Sequence, residues 1–120
     1  MYVIRILHDL NLLDIEWHGQ FTAEAVAAYA SDVRARFASA GLAPGYRLRI
    51  DMSRSAVQTQ DALPAFRAVF HDFPKASRIA IVTRSAITRL QVQREMTQSY
   101  LRIFDNAPES LGWLLEKEAA

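Results

Sequence analysis

Apolar and polar positions alternate in two short runs at the start of the chain. Residues 2–7 set Tyr2, Ile4 and Ile6 against Val3, Arg5 and Leu7; residues 12–18 set Leu13, Ile15 and Trp17 against Asp14, Glu16 and His18. A period of two places each set on its own face of a strand. The polar break His8-Asp9-Leu10-Asn11 between the runs predicts an antiparallel hairpin with one wet face.

From Phe21 the period changes. Val26, Tyr29, Ala30, Val33 and Phe37 recur at helical spacing, Thr22 is a good N-cap, Glu24 suits the first turn, and Gly41 is a natural stop. Phe21 is placed to staple onto Val26. After the turn Ala43-Pro44-Gly45, Arg47 to Met52 reads as a strand with Leu48, Ile50 and Met52 on its buried side. Ser53 to Gln60 is polar without a period and predicts a loop.

A second helix is expected from near Thr59 or Asp61, because Pro64 fits only a first turn. Its apolar face is Leu63, Phe66, Val69, Phe70 and Phe73, and Pro74 ends it. Ile79 to Val82 is a continuous apolar strand of the kind buried on both faces of a sheet. Ser85 caps a third helix to about Gln98, with Ile87, Leu90 and Met96 as core candidates. Tyr100 to Phe104 is a fifth strand, and Asn106 with Glu109 has the capping-box spacing that opens a last helix through Leu111, Leu114 and Leu115. The order ββαβαβαβα predicts an α/β fold, with a mostly parallel five-stranded sheet, an antiparallel N-terminal hairpin and about four helices. No repeat or linker interrupts it, so residues 1–120 are expected to form a single domain.

Composition narrows the functions open to such a fold. Of 120 residues 51% are hydrophobic and 22% charged, ordinary for a globular protein. Fourteen basic residues face thirteen acidic ones, too even a balance for generalised nucleic-acid binding. Twelve of the basic residues are Arg, which reads as codon bias. Cysteine is absent, which excludes disulfides and thiolate metal sites. No apolar run reaches the roughly 20 residues of a membrane span. The opening Met1–Leu7 reads as a strand and not as a signal peptide, so a cytoplasmic location is expected.

The element order, together with the strand end Leu48-Arg49-Ile50-Asp51-Met52-Ser53, the loop on to Leu63, and the tail Ile103-Phe104-Asp105-Asn106 through Trp113-Leu114, resembles the STAS domain family. The likeness extends over essentially the whole chain and is closest to the SpoIIAA-like branch, grouped with CRAL-TRIO-type lipid-binding domains. It implies a regulatory or protein-interaction module, or a carrier of a small hydrophobic ligand or lipid. In the anti-sigma-factor antagonists an Asp-Ser-Ser-Gly signature carries a phosphorylated serine at the start of the second helix. The matching positions here are Thr59, Gln60, Asp61 and Ala62, without a serine. The resemblance therefore implies a module lacking that switch. Asp61 reads as a helix cap, or as a standing negative charge in place of the phosphate.

Candidate chemistry is sparse. His8, His18 and His71 lack metal-ligand spacing, the four glycines make no phosphate loop, and no Gly-x-Ser-x-Gly elbow occurs. No metal, no cofactor and no enzymatic activity are expected; a serine nucleophile at Ser53 or Ser55, with His71 and Asp72, ranks last. In an open parallel sheet, ligands and partners meet the carboxyl ends of the strands. The candidate partner or ligand loop is accordingly Ser53, Arg54, Ser55, Gln58, Thr59 and Asp61. Arg84 with Ser85 forms a candidate anion site at a helix start. Met52, Phe66 and Phe70 are the candidate lining of an apolar pocket. Expected partners are an unidentified protein or a small apolar ligand. The chain is expected to be a monomer or weak homodimer, its hairpin edge blunted by Arg5, Asp14 and Glu16.

Overall fold

A computed structural model describes residues 1–56, 58, 62, 64–65, 68–69 and 73–116. Its sheet holds β1 (Tyr2–Leu7), β2 (Leu12–Gly19), β3 (Arg47–Ser55), β4 (Arg78–Val82) and β5 (Leu101–Phe104), in that spatial order. β1 and β2 pair antiparallel, and every later pair is parallel. The helices are α1 (Ala23–Ala40), α2 (Ala86–Glu95) and α3 (Ala107–Leu114), with a 3-10 turn at His8–Leu10 inside the hairpin. Of the helix expected before Pro74, Pro64–Ala65 and Ala68–Val69 are helical, Ala62 and Phe73 are described but not helical, and the remainder, including Phe66 and Phe70, lies outside the described residues. The α/β, mostly parallel architecture read from the hydrophobic pattern is the one observed.

Local chemistry sets the boundaries. Asn11 closes the hairpin turn at φ 50°, a left-handed conformation that Asn tolerates better than most residues. Thr22 Oγ1 accepts from the Ala25 N–H at 3.1 Å, and Gly41, at φ 64°, ends α1. Ser85 caps α2 through the Thr88 N–H, and Asn106 caps α3 through the Glu109 N–H at 2.9 Å.

One face of the sheet carries the main core. Ile4, Leu13, Ile15, Trp17, Leu48, Ile50, Met52, Ile79 and Ile81 lie under Val26, Tyr29 and Val33 of α1, Val69, and Val92 of α2. Burying a side chain of this size contributes about 1.5–3 kcal/mol each. Around Tyr29, the rings of Tyr2, Trp17 and Phe21 meet edge-on at 5.0–5.9 Å. The opposite face buries a smaller cluster, Leu12, Ala80, Phe104 and Leu114, under α3.

Four expectations change. β3 continues to Ser55, so Ser53, Arg54 and Ser55 belong to a strand end and not to a loop. The strand is longer because it keeps pairing with β2 as far as Gly19↔Ser55. α2 stops at Glu95, where Met96 turns extended, so the helix does not reach Gln98. It buries Thr88 and Val92, leaving Ile87 57% and Leu90 62% exposed, so neither is a core residue. Asp14 is only 6% exposed and sits on an interior strand, so it does not blunt an edge.

Arginine explains why Asp14 can be buried. It stands opposite Arg49 across β2 and β3, and Arg49 Nε and Nη2 each donate to one of its carboxylate oxygens at 2.9 Å. This hydrogen-bonded carboxylate raises the Arg49 pKa above its ordinary value. Arg49 Nη1 also donates to the Ala107 carbonyl, at 3.3 Å. Arg47 donates to the carbonyls of Leu114 and Leu10, both at 2.6 Å, and Arg78 donates to the Trp113 carbonyl while its guanidinium lies over the Trp113 ring. Three arginines thus fasten both ends of α3 to the sheet, two of them at the carbonyl-rich C-terminus, where positive charge is favoured. Codon bias alone does not account for them.

Truncation should separate the core from the exposed side of α2. Ile50→Ala is expected to cost about 2–5 kcal/mol by cavity formation. Leu90→Ala should stay within about 0.5 kcal/mol, as an exposed substitution does. Urea unfolding of both variants checks the contrast, and a large loss at Leu90 would contradict the placement of α2.

Candidate functional site

The carboxyl ends of the parallel strands gather most of the expected site. Between Glu16↔Asp51 and His18↔Arg54 the register slips, so β3 takes three steps where β2 takes two. That extra residue is a bulge, which re-aims the side chains beyond it. Regular alternation from Asp51 would send Arg54 to the core face; after the bulge it emerges beside Glu16, with Nη1 3.1 Å from Oε1. Arg5 Nη1 approaches the other carboxylate oxygen at 3.4 Å, and His18 Nε2 lies 3.1 Å from Oε1. One carboxylate therefore gathers three basic side chains on the part of the sheet that α3 leaves open.

Beside this cluster, Asp51 Oδ1 accepts from both the backbone N–H and the hydroxyl of Ser53, at 2.9 and 2.5 Å. Ser55, on the opposite side of the strand, donates its hydroxyl to the Met52 carbonyl. Arg84 and Ser85 are exposed at the end of the neighbouring strand. The Ser85 oxygen is occupied as a helix cap, and Thr83 Oγ1 accepts from the Ser85 N–H at 3.2 Å. Thr59 and Asp61 lie outside the described residues.

Gln58 has a different role from the one its polarity suggested. It is 8% exposed, and its side chain ties Ala56 to Gly19 at the end of β2 and to Phe21 just past it. Oε1 accepts from the Phe21 N–H at 2.9 Å, while Nε2 donates to the carbonyls of Ala56 and Gly19. Its backbone pairs with Gln91: the Gln58 N–H donates to Gln91 Oε1 at 3.3 Å, and Gln91 Nε2 donates to the Gln58 carbonyl at 3.1 Å. The side-chain amide holds the chain after β3 against the end of β2, and the backbone pairing with Gln91 holds it against α2. Nothing in the spacing of a single Gln in a polar run signals this.

Met52 does line an apolar pocket, in different company from that expected. Its other walls include Trp17, Ser55, Thr88, Val92 and Met96, and its free volume is about 40 Å³. Ligand pockets run to about 300–1,000 Å³. Phe66 and Phe70, the other expected lining residues, lie outside the described residues. Among the described residues no group of three or more His, Cys, Asp or Glu is arranged to hold a metal ion, and no helix is long and apolar enough to cross a membrane.

Comparison with solved structures places this architecture. An anti-sigma factor antagonist from Mycobacterium paratuberculosis superposes with a TM-score of 0.69 over 97% of this chain and 96% of its own, at 14% identity. The fold is SpoIIAA-like. A protein of the DUF3478 family from Shewanella loihica PV-4, described as having a SpoIIAA-like fold, superposes with a TM-score of 0.68 over 94% of this chain and 93% of its own, at 17% identity. No protein-family model matches the sequence, and no curated protein matches it significantly. The SpoIIAA-like, STAS-type fold shared with these two structures is the one the element order resembled.

Removing the Gln58 amide should be felt away from any partner. Gln58→Ala leaves the buried Phe21 N–H and two carbonyls without that partner, at an expected cost of about 1–3 kcal/mol. Equilibrium unfolding reads the loss, and hydrogen exchange should place it at Phe21 and at residues 55–58. A neutral substitution would contradict the structural role.

Proposed function

We propose that this chain is a non-enzymatic regulatory module, a single unit over residues 1–120, that binds another protein through the carboxyl edge of its parallel sheet. The observation that carries the reading is the bulge in β3. It brings Arg54 beside Glu16, while Ser53, Arg84 and Ser85 are exposed polar groups on the adjoining strand ends and helix start. Groups held on rigid elements lose little freedom on binding, which favours specific recognition over loose attraction. The printed description of the Mycobacterium paratuberculosis structure, an anti-sigma factor antagonist, supports the same class of function. The positions matching its family's phosphorylated serine carry Thr59, Gln60, Asp61 and Ala62, so this module works without the phosphoserine switch.

A second reading, a small hydrophobic ligand beside Trp17, Met52 and Met96, has the apolar walls of that pocket in its favour and its volume of about 40 Å³ against it. Native mass spectrometry of freshly purified protein separates the two. The module reading predicts the bare polypeptide mass, whereas a surplus mass that disappears on denaturation would favour the carrier. The module itself is tested by quantitative affinity capture with the full chain. Arg54→Glu is expected to reduce recovery of a specific partner by at least about tenfold, as reversing a charge in a desolvated contact does. If every recovered protein is indifferent to Arg54→Glu, the edge is not the binding surface.

A further inference from the structure

Helix α2 carries a stripe that its own packing does not use. Residues three and four apart are neighbours on a helix, so Ile87, Leu90 and Arg94 lie side by side. Gln91, four residues from Ile87, carries the stripe to the rim of the pocket lined by Trp17, Met52 and Met96. Ile87 and Leu90 are the large aliphatic side chains most exposed after the N-terminal residue among those described. Arg84, just before the helix, and Arg94, in its last turn, are exposed, and neither forms an ion pair among the described residues. Two aliphatic side chains are thus flanked by two uncompensated guanidinium groups, with a small apolar recess alongside.

We propose that this stripe docks an acidic amphipathic segment of the partner protein. Its apolar side chains cover Ile87 and Leu90, and its carboxylates reach Arg84 and Arg94. The proposal rests on the interaction-module reading and adds the chemistry of the partner. Charge chooses this occupant over the others. A second copy docked two-fold on the same stripe would set Arg84 and Arg94 against a like-charged surface. A bilayer surface needs a large apolar face and a cluster of basic residues. Here the chain's net charge is +1, and the opposite side of α2 is committed to the core through Thr88 and Val92.

The test is an NMR titration of the isotope-labelled full chain with a synthetic amphipathic peptide carrying leucines at i, i+3, i+4 and i+7 and glutamates on its flanks. Shifts are expected at residues 84–96 and at the Trp17 indole. Leu90→Ser and Arg94→Glu should each weaken binding at least about tenfold without moving the unfolding midpoint. Added salt should weaken it further. A counterpart peptide with lysine in place of each glutamate should not bind. Absence of shifts, shifts elsewhere, or equal binding of the two peptides would overturn the proposal. So would sedimentation with phosphatidylserine vesicles that depends on Leu90, or a dimer dissolved by Leu90→Ser. The titration reads only the α2 face and partner capture by the strand edge reads Arg54, so failure of either is distinguishable from failure of the other.

Discussion

A sheet whose strands lie side by side in chain order, joined by right-handed crossovers, must carry its crossover elements on one face. That constraint governs the rest of this structure. α1, the segment containing Val69, and α2 all pack on the face formed by Leu13, Ile15, Leu48, Ile50 and Ile81. Among the described residues the opposite face is covered by the eight residues of α3, with Leu7 and Leu10 of the hairpin beside it. A short helix with one buried leucine and a partly buried tryptophan contributes modest apolar area. The arginines of β3 and β4 supply what that area lacks, binding the carbonyls of Ala107, Trp113 and Leu114.

The same constraint explains where polar chemistry survives. α3 covers the second face over Leu12, Ala80 and Phe104 and leaves Arg5, Glu16, His18 and Arg54 grouped beyond it. Both regions depend on charge pairing on a sheet surface, with different degrees of burial. Asp14 and Arg49 form a fork with both carboxylate oxygens satisfied and little solvent, a geometry in which losing one partner is expensive. The Glu16 cluster is more open, with Arg5 and Arg54 largely in solvent, and such contacts add little to stability. The first pair belongs to the architecture, and the second group lies open to solvent. Edge pairing is limited by another arginine: Arg36 of α1 donates to the Ile4 carbonyl of the edge strand β1.

Periodicity made the elements legible. The alternation in residues 2–18, the stripe Val26, Tyr29, Val33 and the caps Thr22, Ser85 and Asn106 all appear where local pattern and side-chain chemistry placed them. Misreadings arose where tertiary pairing overrode local pattern. Ser53-Arg54-Ser55 is too polar to look like a strand, yet β2 extends alongside and fixes it as one. Ile87 and Leu90 look like core because they are aliphatic at helical spacing, yet the helix is rotated to bury Thr88 and Val92. Asp14 reads as a wet-face residue until Arg49 is brought opposite it, a contact between residues far apart in the chain. A bulge, a helix rotation and a cross-strand ion pair are set by neighbours, and single-strand patterns do not encode them. Of the candidate site, Arg54 and Arg84 emerge as surface groups, whereas Gln58 is an internal brace.

The most direct test of this account is amide hydrogen exchange of the doubly substituted protein Arg47→Met, Arg78→Met against the unaltered chain. If these arginines hold α3 on the sheet's second face, amides of residues 110–115 lose protection by about tenfold or more, as local opening does. Those of α1 and of β2 to β4 keep theirs. Unchanged protection in α3 would show that apolar contact alone secures it. Uniform loss across the sheet would show that α3 is not a separable cover, and the two-sided description would be wrong.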